Sequence, residues 1–341
     1  MSRRHFLLAS GLLASAPWLG TAIAQEARIL RIGTASTAGI YFPIGGLIAS
    51  AISSPPGSRE CERGGSCGVP NLIATAQSTE GSAFNVEALE RGDLETALAQ
   101  ADVAYWAYHA EGPYEDREPM RNLRTIANLY PEVIQVVTRA EAEIAHPEDL
   151  RGKRISLDRK GSGSLVDALL ILEAWGLSPN DFEAKYLAPN IAASQLRTGE
   201  LDGFFMVAGT PTPAVSDLTQ EVSVRLLSLE GEPVEGLRER YPFFSPAEIE
   251  AGTYRTVPRT PTLSVGAQWL VDARLDEELV YQMTQAFWHP RHRRLFEEGH
   301  PQARRISLDT ALNGLGTPLH PGAKRYYESI GITIVESYDV E

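Results

Sequence analysis

The stretch RIGTASTAGIYFPIGG, residues 31–46, passes from a strand pattern through a loop of small residues into a helix pattern. Gly33, Ser36, Thr37 and Gly39 give that loop a flexible backbone and hydroxyl groups. Free N–H groups and the helix dipole at such a position favour an anion. The loop has no lysine and matches neither GxxxxGK[ST] nor GxGxxG, so it favours a carboxylate over a nucleotide phosphate. A plain turn before a capped helix is the alternative interpretation.

The same pattern recurs in RISLDRKGSGS, residues 154–164, where Ser162 and Ser164 precede a second helix pattern. A further pair is ERGDLETALAQADV (90–103) and RTGELDGFFMVAGT (197–210), in which a strand pattern again leads through a small-residue loop to a helix. Alternating apolar and amphipathic runs predict an α/β architecture. Helix N-termini would then lie at the carboxyl ends of strands, where open α/β sheets bind ligands. Two such termini could hold the two ends of a dicarboxylate.

The chain is longer than a single core normally supports, so two domains are expected. The repeat divides the chain into these two predicted lobes. Residues 25–132 together with 262–341 form lobe 1, since a late strand pattern followed by helices returns the chain to the first domain. Residues 133–261 form lobe 2. The chain is expected to cross between the lobes near 130–135 and 258–265, with a strand break at Tyr130-Pro131.

Residues 1–24 resemble a twin-arginine export signal, with Arg3-Arg4, a short apolar run and Ala22-Ile23-Ala24. A buried N-terminal helix is the alternative. We expect cleavage after Ala24 and a soluble periplasmic protein, because no later stretch has 18 uncharged apolar residues. The net charge of −13 argues against binding to nucleic acid or an anionic membrane.

The two cysteines, Cys61 and Cys67, are predicted to form a disulfide in an exported protein. Closing so short a loop stabilises the fold by roughly 2 kcal/mol. Metal binding is the weaker alternative, because two thiols without a neighbouring histidine in the sequence do not complete a tetrahedral site.

Candidate catalytic groups are weak. GGSCG (64–68) matches the hydrolase pattern GxSxG around Ser66, but it lacks the strand before and the helix after that this pattern requires. HPRH (289–292) resembles paired metal ligands, but its neighbouring arginines favour a solvated helix surface. Asp102 is predicted to be a helix N-cap in preference to a catalytic acid. With hydroxyls, amides and few titratable groups in the loops, a binding protein is expected and an enzyme is not.

Taken in order, six motifs resemble the TAXI class of solute receptors of tripartite ATP-independent periplasmic (TRAP) transporters, over nearly all of the chain after the leader. They are IGTASTAGIYFPIGG (32–46), AQSTEGSAFNVEAL (76–89), AQADVAYWAY (99–108), ANLYPEVIQVVTR (127–139), LRGKRISLDRKGSGS (150–164) and LHPGAKRYY (319–327). Ala38 departs from the family pattern, in which many members have glycine, and the Cys61–Cys67 loop is absent from some members.

The resemblance implies a periplasmic-binding-protein type II fold, whose two α/β lobes are joined by hinge strands and enclose a ligand cleft. It implies a receptor that binds a small dicarboxylate such as glutamate or 2-oxoglutarate and delivers it to a TRAP permease. We expect this receptor to be a monomer without a cofactor or metal. A sensing protein of the same fold that feeds a sensor kinase is the second hypothesis, and a serine hydrolase is a remote third. The implied ligand contacts are Ser36, Thr37, Gly39, Tyr41, Ser78, Ser82, Gln100, Asp102, Ser162, Ser164, Gly209 and Thr210.

Overall fold

The computed structural model describes residues 27–241 and 243–334. The predicted leader, residues 1–24, therefore lies outside the described part of the chain. The strands are β1 Arg28–Gly33, β2 Ser53–Ser54, β3 Val69–Pro70, β4 Leu72–Gln77, β5 Thr96–Gln100, β6 Leu123–Arg139, β7 Arg154–Ser156, β8 Glu183–Lys185, β9 Gly203–Ala208, β10 Val224–Leu226, β11 Ser245–Ile249 and β12 Thr260–Asp272.

The longer helices cover both faces of the sheet that these strands build. They are α1 Tyr41–Ile52, α2 Ser82–Arg91, α3 Ala101–His109, α4 Gly163–Ala174, α5 Pro189–Thr198, α6 Pro213–Glu221, α7 Glu232–Arg240, α8 Glu277–Phe287, α9 Arg293–Gly299 and α10 Pro321–Ser329. None of the described helices has the length and apolar character needed to cross a lipid bilayer.

Two halves with the same strand order make up the large sheet, which runs β4-β1-β5-β12-β6-β9-β7-β8. In the first half, β4, β1 and β5 are parallel and β12 follows antiparallel to β5. In the second half, β8, β7 and β9 are parallel and β6 follows antiparallel to β9. Strand β10 continues the second half beside β6. The repeat found in the sequence is thus a repeat of topology, and the predicted type II fold is confirmed.

Strands β6 and β12 join the halves. The first part of β6 pairs with β12 up to Val133, and its last part pairs with β9 and β10. The predicted break at Tyr130-Pro131 is wrong, because β6 is continuous over 17 residues. Pro131 is tolerated since it is exposed and lies opposite Gly266 at the point where the pairing changes.

Each sheet face carries its own apolar core. One face packs against α1, α5, α6 and α8, with Ile48, Phe204 and Trp269 among the buried residues. The other face packs against α2, α3, α4 and α7, with Trp106 and Ile171 buried. Strands β5 and β9 are buried at every position, which is typical of parallel strands covered on both faces. Helices α2, α3 and α4, which come from different halves, therefore meet on one face.

Candidate functional site

A cavity of about 60 Å³ lies at the carboxyl ends of the strands and has walls from both halves. The first residues of α1 and α2 in the first half and of α4 and α5 in the second line it, and Gln100, the N-cap of α3, lines it as well. Four of these helices, α1, α2, α3 and α5, have no side-chain cap hydrogen bond at the N-terminus. Such termini attract negative charge. The helix N-termini around the cavity therefore suit a carboxylate.

Seven of the twelve residues predicted as ligand contacts line the cavity. They are Ser36, Gly39, Tyr41, Ser82, Gln100, Ser162 and Ser164. Both lobes contribute, as the sequence repeat suggested.

The other five predicted contacts do not line the cavity. Thr37 is exposed, and exposed Ser78 donates to the carbonyl of Ala35 at 2.9 Å. Asp102 is fully buried in the first turn of α3, and Gln100 holds the N-cap position that was predicted for Asp102. Gly209 and Thr210 pack against Gln302, whose side-chain amide donates to the Thr210 carbonyl; in their place the end of β9 faces the cavity.

The serine hydroxyls at the cavity already hold the loops in place. Ser162 Oγ caps α4 by accepting from the Leu165 amide at 3.1 Å. Ser164 Oγ accepts from the Val207 amide at 3.0 Å, which ties α4 to β9. Ser82 Oγ accepts from the backbone N–H of Gln100 at 3.2 Å. Their hydrogens are engaged as well, since Ser162 Oγ donates to the Arg159 carbonyl at 2.8 Å and Ser82 Oγ to Gln100 Oε1 at 3.4 Å, so a bound acceptor would have to replace these bonds.

Titratable groups at the cavity are more numerous than the sequence motifs indicated. Three carboxyl side chains, Glu80, Glu132 and Asp158, and one guanidinium, Arg159, line it. The expectation of few titratable groups is therefore wrong. The sequence did carry a signal: Glu132 is an acid inside the apolar run YPEVIQVV, and a charged residue in a buried strand needs a partner or a function.

Glu132 is the most deeply buried of these acids. It is 2 % exposed and accepts a 2.6 Å hydrogen bond from the Tyr41 hydroxyl. Burial raises the pKa of Glu132 to about 8, and the charge of Asp102 adds to that rise, whereas the Tyr41 hydrogen bond opposes it. Near neutral pH this carboxyl is therefore poised either to donate a proton to a hydrogen bond or to pair with a cation.

Asp158 follows β7 and has a left-handed backbone, with φ of 70°. Residues other than glycine rarely adopt this conformation, and its strain is typical of functional sites. Burial raises the pKa of Asp158 to about 6, against the hydrogen bonds from the Arg159 amide and the Ser164 hydroxyl. Asp158 and Glu132 thus place two desolvated acids at one cavity.

Arg159 joins the two halves at the edge of the cavity. Its Nη2 donates to the Thr79 carbonyl at 2.8 Å, and its Nη1 pairs with Glu80 at 2.8 Å. Beside it, the Phe84 amide of α2 donates to the Gly161 carbonyl at 3.0 Å. Because these contacts connect the two lobes across the cavity, the structure represents a closed state.

The predicted disulfide between Cys61 and Cys67 is present, and its loop does not line the cavity. His289 lies near it, with Nε2 at 3.8 Å from Cys61 Sγ, a neighbour that the sequence did not reveal. The sulfurs are bonded to each other, so this group offers no thiolate ligands. The Ser66 hydroxyl donates to the Ser53 carbonyl at 2.6 Å, and a short turn of 3-10 helix precedes it in place of a strand. The hydrolase geometry is therefore not met at Ser66.

Comparisons with known proteins agree over most of the chain. A family model described as the NMT1-like family matches residues 32–331. The alkanesulfonate-binding protein SsuA from Xanthomonas axonopodis pv. citri is 19% identical, with 89% of this chain and 85% of that chain covered and a TM-score of 0.45. PhnD1 from Prochlorococcus marinus, in complex with methylphosphonate, is 10% identical, with 89% and 98% covered and a TM-score of 0.47. The aliphatic sulphonate binding protein SsuA from Escherichia coli is 16% identical, with 88% and 78% covered and a TM-score of 0.41.

Proposed function

Because the chain belongs to the NMT1-like family, we propose that it is an extracytoplasmic solute-binding receptor of the periplasm. Its role is to capture a small molecule between two lobes and release it unchanged to a membrane permease. The observation that carries this proposal is the cavity, which both halves wall and which five helix N-termini approach. Such a cleft suits a small bound solute more than a polymer.

We propose that the solute is a carboxylate that also carries an ammonium group. The helix N-termini and the serine hydroxyls favour a carboxylate, but Glu132 and Asp158 would repel a purely anionic ligand whenever they are ionised. Arg159 cannot offset both acids, since it already pairs with Glu80. An ammonium group beside Glu132 removes this conflict. Of the two dicarboxylates expected from the sequence, glutamate therefore fits better than 2-oxoglutarate.

The ligand contacts that we propose are the predicted residues that line the cavity and the acids that the sequence motifs missed. The carboxylate is held near Ser36, Gly39 and the first turns of α1 and α4, and the ammonium group near Glu132. The proposed contacts are Ser36, Gly39, Tyr41, Ser82, Gln100, Glu132, Asp158, Ser162 and Ser164. We also propose lobe 1 as residues 25–132 with 262–341 and lobe 2 as residues 133–261.

Delivery to a TRAP permease is the finer part of the proposal. It rests on the resemblance of the six sequence motifs to TAXI receptors. Five of the six contribute residues to the cavity wall, and only LHPGAKRYY (319–327) does not.

Ligand binding is tested by thermal unfolding of the mature protein with L-glutamate, 2-oxoglutarate, succinate and neutral amino acids. We expect L-glutamate to raise the melting temperature most, because a ligand that binds only the folded state stabilises it by mass action. Glu132→Gln should lose much of the preference for L-glutamate over 2-oxoglutarate, and Glu298→Gln, an exposed control, should keep it. If no carboxylate raises the melting temperature, the proposed function fails.

Delivery is tested separately, with proteoliposomes that contain a TRAP permease from the same genome. Uptake of labelled L-glutamate should require the receptor and an ion gradient, but no ATP. Binding without uptake, together with activation of a neighbouring sensor kinase, would instead support the sensing role.

A further inference from the structure

Asp102 and Asp167 form a buried pair of carboxyl groups that the proposed ligand site does not use. Asp102 lies in the first turn of α3 in the first half, and Asp167 lies in α4 in the second half. Both are 0 % exposed, and neither lines the cavity. The two carboxyls are neighbours across the halves, because Gln100, the N-cap residue of α3 just before Ala101 and Asp102, donates its side-chain amide to Asp167, and each carboxyl influences the pKa of the other. Because the two helices belong to different lobes, opening the cleft separates the pair.

The hydrogen bonds around the pair are incomplete. Gln100 Nε2 donates to Asp167 Oδ2 at 2.5 Å. The remaining oxygens, both of Asp102 and Oδ1 of Asp167, have no hydrogen bond of good geometry among the described residues, and only the backbone N–H groups of Asp102 and Val103 lie near Asp102. Two ionised carboxylates in this position would repel each other in a site without water contact. A single proton between them supplies the missing donor and removes one of the two charges.

No cation from the surrounding elements compensates the pair. Neither aspartate forms a salt bridge with a residue of the described chain. From β6, Glu132 adds negative charge, which raises the pKa of Asp167 beyond the effect of burial and of Asp102. Burial raises the pKa of Tyr114, in the turn after α3, so its hydroxyl stays neutral between pH 5 and pH 8. The arginines of the neighbouring helices have other partners: Arg117 pairs with Glu87 of α2, and Arg240 of α7 pairs with Glu173 of α4. Strand β9 has no titratable residue.

Close packing keeps the pair in place. A Cβ at Gly163, the first residue of α4, would lie 1.6 Å from Gln100 Oε1 and 2.9 Å from Ser82 Oγ. Gln100 is therefore held between α2 and α4, with its amide directed at Asp167. The glutamine thus fixes which oxygen of Asp167 remains available to Asp102.

We infer that closure of the two lobes traps one proton between Asp102 and Asp167, so that the receptor takes up a proton when it closes. In the open state, water solvates both carboxyls and each ionises near its ordinary pKa. In the closed state, the pair retains a proton at higher pH. The closed state is thus favoured at low pH and loses this advantage as the pH rises through the pKa of the closed pair. The closing equilibrium changes by at most about tenfold per pH unit within this window.

The inference is tested on the mature protein without ligand, so that it stands or fails separately from the proposed function. Hydrogen exchange is measured on peptides that contain Phe84, whose amide bonds across the lobes to Gly161, at pH 5 and at pH 8 and corrected for the intrinsic exchange rate. We expect stronger protection at pH 5, and a smaller radius of gyration by small-angle X-ray scattering.

Asp167→Asn and Asp102→Asn each replace the shared proton by an amide hydrogen. Whichever variant folds should remain closed at both pH values and respond to pH less steeply than the wild type, with a residual response from Glu132 and Asp158. Glu80→Gln removes a different contact between the lobes and should keep the response, although its closed state is weaker overall. An unchanged wild-type protection between pH 5 and 8 would overturn the inference. So would a pH response of undiminished steepness in the folded Asn variant. Protection that changes when Na⁺ is replaced by choline, but not with pH, would also overturn it, because a bound cation would then take the place of the proton.

Discussion

At the scale of single residues, Tyr41 and Tyr130 form a natural comparison. Both are buried near Glu132, but only the Tyr41 hydroxyl donates to it, at 2.6 Å. The Tyr130 hydroxyl has no hydrogen-bond partner within the described part of the chain. The same chemical group is thus satisfied at one position and unsatisfied at the other.

Tyr41→Phe should lower the free energy of unfolding by about 1–2 kcal/mol, because it leaves a buried carboxyl without its donor. Tyr130→Phe should be neutral or slightly stabilising, because it removes a hydroxyl that is buried without a partner. Urea unfolding at pH 7 measures both. Equal losses in the two variants would contradict this account of the site.

Glu132→Gln should stabilise the ligand-free protein at pH 8 and flatten its pH dependence. The folded-state pKa of Glu132, about 8, lies above the ordinary value of 4.5. The stability gained from the neutral acid is therefore complete below about pH 4.5 and is lost as the pH rises through 8. Unfolding curves from pH 5 to 8 should fall more steeply for the wild type than for the variant. Parallel curves would show that Glu132 does not titrate in this range.

At the scale of elements, the N-terminal end of α4 limits how closely the lobes approach. Gly163 allows Gln100 to fill the space beside it. A Cβ added at Gly236, in α7, would meet no neighbouring atom within 4 Å. Substitution of Gly236 by alanine is therefore a control for the intrinsic effect of alanine in a helix.

Gly163→Ala should displace Gln100 from Asp167, weaken the closed state and increase exchange at the Phe84 amide. Gly236→Ala should leave that exchange unchanged and stabilise the protein by about 0.5–1 kcal/mol, as alanine does in a helix interior. If both variants exchange like the wild type, the contact between Gly163 and Gln100 does not support closure.

The elements were largely predictable because local signals repeat. Strand, small-residue loop and helix recur in both halves, and this local pattern predicted α1, α2, α3 and α4 at the cavity. The acids were less predictable, because Glu132 and Asp167 become buried neighbours of the site through packing between lobes. No spacing in the sequence records which side chain lies across a cleft. Asp158 was closer to prediction, since it follows β7 within the motif RISLDRKGSGS (154–164).

Short elements escaped prediction for a different reason. Strands β8 and β11 have three and five residues, and their order comes from pairing with β7 and β12. The predicted break in β6 failed because proline was read as a local stop signal, whereas an exposed strand position tolerates it. In these cases tertiary pairing decides the structure and local propensity does not.

At the scale of the whole molecule, few polar contacts hold the lobes together at the edge of the cavity. Arg159 makes several of them and is itself only partly buried. Arg197, which pairs with Glu221 within the second half, offers a control charge that does not join the lobes.

Arg159→Ala should shift the ligand-free protein toward the open state and increase its radius of gyration. Arg197→Ala should not, because the pair it removes lies within one lobe. Small-angle X-ray scattering on both variants measures the difference. If Arg159→Ala has the radius of the wild type, apolar packing between α2 and α4 holds the closed state without this residue.

The two-sided wall of the cavity also has a kinetic consequence. A solute enclosed by both lobes leaves only when β6 and β12 let the lobes part, so its residence time depends on the hinge as well as on its own contacts. A membrane partner that binds the open state more tightly than the closed state would then speed release of the solute, without competing for the solute's contacts. Substitutions in the hinge strands would change the lifetime of the complex with little effect on which solute is chosen.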